Sequence, residues 1–138
     1  INELDSTMAV FKYNSRTGGL NEIQLLTTLP KGFMDYNTTA EVAVHPSGRF
    51  LYGSNRGHNS IVAYSINQMT GMLSPIGWTS SGGERPRYFG IDPSGTLLYA
   101  CNQDTHTIIG FAIDQNIGEL SPTGMIVETG SPVTIVFI

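Results

Sequence analysis

Apolar residues in this chain fall in short runs, and Gly, Pro, Asn, Asp and Ser collect between them. That pattern predicts strands joined by tight turns. Residues 87–91, 97–101, 107–113 and 123–128 read as four successive strands. The third, Thr107-Ile108-Ile109-Gly110-Phe111-Ala112-Ile113, is almost wholly apolar, which predicts a strand buried on both faces. Asp92-Pro93-Ser94-Gly95 predicts a turn, because Pro presets one φ angle and Gly supplies a permissive one. Gln115-Asn116-Ile117-Gly118 predicts a second turn, and no stretch carries a convincing helical period.

The same pattern recurs. His45-Pro46-Ser47-Gly48-Arg49-Phe50-Leu51-Tyr52-Gly53-Ser54-Asn55 matches Asp92-Pro93-Ser94-Gly95-Thr96-Leu97-Leu98-Tyr99-Ala100-Cys101-Asn102 at an offset of 47 residues. The match continues without a gap through Gly71, Leu73, Ser74, Pro75 and Gly77 against Gly118, Leu120, Ser121, Pro122 and Gly124. A partial upstream copy places Asn2, Phe11, Tyr13, Gly18 and Leu20 against Asn55, Tyr64, Ile66, Gly71 and Leu73 at an offset of 53, so an insertion is expected near residues 31–37. Ser131-Pro132-Val133 opens a further copy.

Four strands in a repeat of this length fall near the period of propeller blades. A β-helix coil is usually shorter, and a sandwich rarely repeats internally. The expected fold is therefore all-β: a β-propeller fragment of about three four-stranded antiparallel blades. Residues 1–38 are the end of one blade, 39–85 and 86–131 are full blades, and 132–138 are the first strand of the next. An array that starts and stops within blades predicts a piece of a longer protein, or self-association through its open apolar ends.

Composition narrows the function. Charged residues are only 13%, and the net charge is −4, without the basic stripe that nucleic-acid binding needs. No apolar run reaches the ~18 residues of a membrane span, so no membrane partner is expected. The single cysteine, Cys101, sits mid-strand as a small core residue and fits a reducing, cytoplasmic location. No His, Cys, Asp or Glu cluster has metal-ligand spacing, and no Gly-rich phosphate loop precedes a helix. Neither a metal nor a cofactor is expected.

The repeat also sorts the polar residues by face. In an antiparallel blade, successive turns alternate between two ends. The loops after Asn2, Asn55 and Asn102 share one end with the inter-blade links at 38–41 and 83–87. Glu3, Arg56 and Gln103 occupy one slot in three successive repeats, each directly after a repeated Asn. A position that keeps its residue type is framework; one that changes from acid to cation to amide is a candidate ligand site. Arg85 and Arg87 fall at the same end, and Arg suits bidentate recognition of carboxylate or phosphate. His45 and His106 read as turn residues.

Asn2-Glu3-Leu4, Leu51-Tyr52-Gly53-Ser54-Asn55-Arg56-Gly57-His58-Asn59-Ser60-Ile61, Pro86-Arg87-Tyr88-Phe89 and Ala100-Cys101-Asn102-Gln103-Asp104 resemble the lactonase family. These are the seven-bladed propellers of bacterial 6-phosphogluconolactonase and fungal 3-carboxy-cis,cis-muconate lactonizing enzyme. The resemblance covers essentially the whole chain and corresponds to the C-terminal part of the family. It implies a site at one end of the central channel, built from Arg, Glu and His. Glu3 matches the Glu and Arg56 one Arg; the remaining Arg and His belong to earlier blades. The implied substrate is a small-molecule lactone or acidic sugar, such as 6-phosphogluconolactone, whose ring is opened or formed. Arg56 would stabilise the oxyanion or hold an acidic group, and Glu3 would move the proton. Asn55, His58, Glu41, Arg87 and Gln103 would be further substrate contacts. The rival expectation is a non-catalytic propeller that binds ligands or proteins, because one fold hosts many functions.

Overall fold

The computed structural model describes residues 1–138. Ten strands carry the regular structure: β1 (Thr7–Tyr13), β2 (Leu20–Thr27), β3 (Thr38–Val44), β4 (Phe50–Arg56), β5 (Ser60–Ile66), β6 (Leu73–Ser80), β7 (Pro86–Ile91), β8 (Leu97–Asn102), β9 (Thr107–Ile113) and β10 (Leu120–Glu128). They form three antiparallel sheets in chain order, β1–β2, β3–β4–β5–β6 and β7–β8–β9–β10. The four strands expected over 87–128 are β7 to β10, each matching or slightly overrunning its expected bounds. The chain is all-β, with propeller blades as its units.

The apolar pattern explains how the sheets stack. In β5, Ile61 and Ala63 join a core with Phe89, Leu98, Phe111 and Leu120 of the last sheet. Val62 and Tyr64, on the alternate positions, join Met8 of β1 and Leu73 on the other side. A period of two therefore buries both faces of the middle sheet. Each fully buried large side chain here contributes ~1.5–3 kcal/mol. Buried tyrosines tie the sheets together: Tyr52 Oη donates to Gly118 O at 2.9 Å, and Tyr64 Oη to Thr27 O at 3.0 Å. Burial raises both hydroxyl pKa values.

The expectation of two buried faces for residues 107–113 holds only in part. Ile109, Phe111 and Ile113 of β9 lie in the core, but Ala112 is exposed and Ile108 lines an apolar hollow of about 220 Å³. No further sheet of this chain packs on that side. The segment 132–138 lies there instead, with Phe137 near Gly90 and Tyr99. It forms no ladder, because a strand is held by its neighbour's N–H and C=O groups and none pairs with it here.

Repeated turns fix the geometry. Ser6, Asn59 and His106 are equivalent, and all adopt φ between 52° and 58°. Their carbonyls accept hydrogen bonds from the equivalent N–H groups of Thr28, Ser81 and Thr129 at 2.8–2.9 Å. At the opposite end, His45 does more than make a turn. It is 3% exposed; its Nδ1 accepts from Ser47 N at 3.1 Å, so Nε2 carries the proton and donates to Gly95 O at 2.7 Å in the next blade. Cys101 is fully buried mid-strand, and burial pushes its thiol up to about 11.

Candidate functional site at the Glu3–Arg56 end

The repeated asparagines build the platform. Asn55 is fully buried. Its Nδ2 donates to Thr28 O at 2.8 Å and Ser60 Oγ at 3.3 Å, and its Oδ1 accepts from Thr28 Oγ1 at 2.8 Å and Asn37 Nδ2 at 3.2 Å. Asn102 repeats the first of these bonds, donating to Ser81 O at 2.9 Å. Each Asn thus pins the link from the preceding blade to the strand end that presents the next residue. That accounts for a constant Asn before a variable slot.

Arg56 ends β4 and is only 7% exposed. Its Nη2 donates to Thr39 O at 2.8 Å and to Glu3 Oε1, an ion pair across two blades. Its buried Nε has no partner. The Glu3 side chain is 59% exposed, while its backbone carbonyl is held by Thr39 N at 3.0 Å. One half of the pair is therefore rigid and buried, and the other is anchored by its backbone and open to solvent. A guanidinium so fixed can orient a carboxylate, a phosphate or a developing oxyanion.

The other expected residues scatter around this pair. Gln103 fills the equivalent slot one blade on; its backbone N donates to Arg85 O at 3.1 Å, and its side chain makes no hydrogen bond. His58 is half-buried, with Nδ1 2.7 Å from Ser60 Oγ and its ring edge-on to Phe33 at 4.9 Å. Ser60 Oγ also accepts from Asn55 Nδ2, which links His58 to the asparagine platform. Glu41 and Arg87 sit in β-bulges of the first strands, β3 and β7. Glu41 turns its carboxylate back to Val42 N at 3.1 Å, whereas Arg87 is exposed. Asn55 has its whole amide committed to the framework.

Sequence reasoning did not single out Thr39, whose carbonyl, amide and hydroxyl tie Arg56, Glu3 and Asn2 together. It also passed over Thr28, Asn37 and Phe33. The paired hydroxyls of Thr28 and Ser81, 53 residues apart, were a usable signal for the first. No group of three or more His, Cys, Asp or Glu side chains gathers as a metal site. The larger hollows lie away from the pair, one of about 460 Å³ at the β1–β2 turn and one of about 560 Å³ beside Val10, Ile23 and Met72.

Stacked four-stranded sheets with polar residues gathered at one end define a β-propeller with a candidate end-of-channel site. The chain belongs to the family described as "Lactonase, 7-bladed beta-propeller", which matches residues 1–137. It is 37% identical over 92 residues to an uncharacterized protein of Lactococcus lactis, covering 67% of this chain and 27% of that protein. It is 36% identical over 90 residues to the 6-phosphogluconolactonase of Bacillus subtilis, covering 65% of this chain and 26% of that enzyme. Among solved structures, the periplasmic gluconolactonase of Pseudomonas aeruginosa superposes with a TM-score of 0.91 at 30% identity, over 96% of this chain and 36% of that one. The chain thus spans roughly a quarter to two fifths of the length of the proteins it matches.

Proposed function

We propose that the protein hydrolyses the lactone ring of an acidic sugar, with 6-phosphogluconolactone as the leading substrate. The observation that carries this is the Glu3–Arg56 pair, contributed by two blades and held at one end of the array. Membership of the lactonase family and the likeness to the Bacillus subtilis enzyme support it. Glu3 takes a proton from water, whose oxygen attacks the lactone carbonyl carbon. Arg56 stabilises the alkoxide that forms on the carbonyl oxygen. The bond to the ring oxygen then breaks, and that oxygen receives the proton from Glu3. The reverse sequence closes a ring. A cytoplasmic location is proposed from the lone, buried Cys101, although the Pseudomonas relative is named periplasmic.

One observation favours a second reading. Arg56 is nearly buried and bonded to Thr39 O, as a purely structural clamp in a binding propeller would be. Activity separates the two. In the complete protein, Glu3→Gln and Arg56→Met should each lower hydrolysis of 6-phosphogluconolactone by roughly 100-fold or more, after subtraction of spontaneous hydrolysis. Wild-type turnover in both variants, with only a lowered melting temperature, would establish the pair as a clamp and end its catalytic role; no turnover by the wild type above the spontaneous rate would end the lactonase reading.

A further inference from the structure

Three arginines stand at the Glu3 end of the array, and their partners differ. Arg56 is paired with Glu3, and Arg85 Nε lies 3.5 Å from Asp104 Oδ2. The Arg87 side chain has no carboxylate partner and makes no hydrogen bond, and it is exposed. Its place in the fold is nevertheless tightly defined. Pro86 pairs with Asn102 and Tyr88 with Cys101, so Arg87 is the extra residue of a β-bulge. The ring of Pro86 fixes its own φ, directly after Arg85, whose φ of 53° lies in the left-handed region. Bulges re-aim a side chain and recur beside functional sites.

The bulge lies on the first strand of its blade. β7 packs beside β3, the first strand of the preceding blade, so both line the inner side of the array. The equivalent bulge of β3 holds Ala40 and Glu41. Ala40 is the repeat equivalent of Arg87, so blade architecture alone does not require a cation there. Glu41, the acid of that bulge, turns its carboxylate onto its own neighbour, Val42 N. An unpaired guanidinium is held on the inner wall, at the same end as Arg56.

We propose that Arg87 binds the acidic group of the substrate, a phosphate or a carboxylate, and so selects anionic lactones over neutral ones. This rests on the lactonase reading and gives Arg87 a role separate from the chemical step. Arg56 and Glu3 act at the ring, and Arg87 holds the remote anion. A guanidinium binds either oxyanion through two parallel N–H bonds, which Lys cannot reproduce.

The test uses the complete protein and three lactones: neutral gluconolactone, 6-phosphogluconolactone and a carboxylated muconolactone. Arg87→Gln should lower kcat/KM on the anionic lactone that the wild type prefers by about tenfold or more beyond any loss on the neutral one. The loss should fall mainly on KM, and Arg87→Lys should recover part of it. Whichever anionic lactone shows the larger loss identifies the group as phosphate or carboxylate. Equal losses on neutral and anionic lactones, or no loss on any, would overturn the proposal. If the wild type hydrolyses none of the three, the lactonase reading fails by itself. Calorimetric titration with inorganic phosphate and with gluconate then decides on Arg87 alone: binding lost in Arg87→Gln supports the anion site, and equal binding or no binding by the wild type rejects it.

Discussion

The amide of Asn55 makes four hydrogen bonds, to Thr28 twice, to Asn37 and to Ser60. Its repeat equivalent, Asn102, bonds to Ser81 O and Thr107 Oγ1 and leaves a buried Oδ1 without a donor. Removing a buried group costs most when it orphans well-made partners. Asn55→Ala should therefore destabilise the complete protein more than Asn102→Ala, by about 1–2 kcal/mol in urea unfolding. Equal losses would show that the bonds from Thr28 Oγ1 and Asn37 to Asn55 Oδ1 add nothing net. Asp92 gives a pH-dependent case. Burial acts to raise its carboxyl, but hydrogen bonds from Ser94, Leu97 and Thr96 outweigh this and hold it below the ordinary value of 3.8. A depressed folded-state pKa favours folding while the carboxylate is charged. The contribution is full above the ordinary carboxylate range and is lost as pH falls through the depressed folded value. Asp92→Asn should thus be less stable than wild type at neutral pH, with the gap closing in acid; a gap that stays constant with pH contradicts the assignment.

At the scale of elements, the blades owe their likeness to turns and their differences to links. The link between β2 and β3 runs over residues 28–37, while that between β6 and β7 runs only over 81–85. The longer link is where the sequence offset placed an insertion. It is docked, not loose: Asn37 Oδ1 accepts from His58 N at 3.0 Å, and Phe33 meets the His58 ring. Gly57 makes that docking possible. With a φ of 141°, a Cβ there would come within 2.9 Å of Asn37 Cα and closer still to Tyr36 O. Gly71, by contrast, has a φ of 75° and open space around it. Gly71→Ala should cost about 1 kcal/mol of backbone strain, and Gly57→Ala should cost more and also perturb the Arg56 turn. Thermal melts and the chemical shift of the Arg56 side chain would check both; equal small losses would mean that the link yields freely.

At the scale of the molecule, apolar groups remain uncovered on both ends of the stack. Tyr13, Leu20 and Leu25 are 64%, 66% and 55% exposed at one end, and Val127 and Val136 are 43% and 78% exposed at the other. Faces of this kind are normally covered by a neighbouring blade or another chain. The 138-residue segment expressed alone should therefore self-associate or bind a hydrophobic dye strongly. Sedimentation as a well-folded monomer would contradict that expectation. The same openness bears on the site, because the Glu3 side chain meets solvent rather than a closed channel.

The repeat made the strands, their order and the shared end of the slot readable without coordinates, because strand pattern and turn chemistry are local properties. Asn55 before Arg56 and Asn102 before Gln103 already marked framework beside variation. What the sequence could not distinguish was which slot members meet. Glu3 reaches Arg56 because Thr39 ties both strands' ends together, while Gln103 stands one blade away. It could not show that Glu41 accepts from Val42 N, or that Arg87 alone of the three arginines at this end has no carboxylate partner. Those outcomes depend on bulges and inter-blade hydrogen bonds between residues far apart in the chain. Partner choice among like charges at one end of the fold is a matter of distance, and only the packing of one blade on the next sets it.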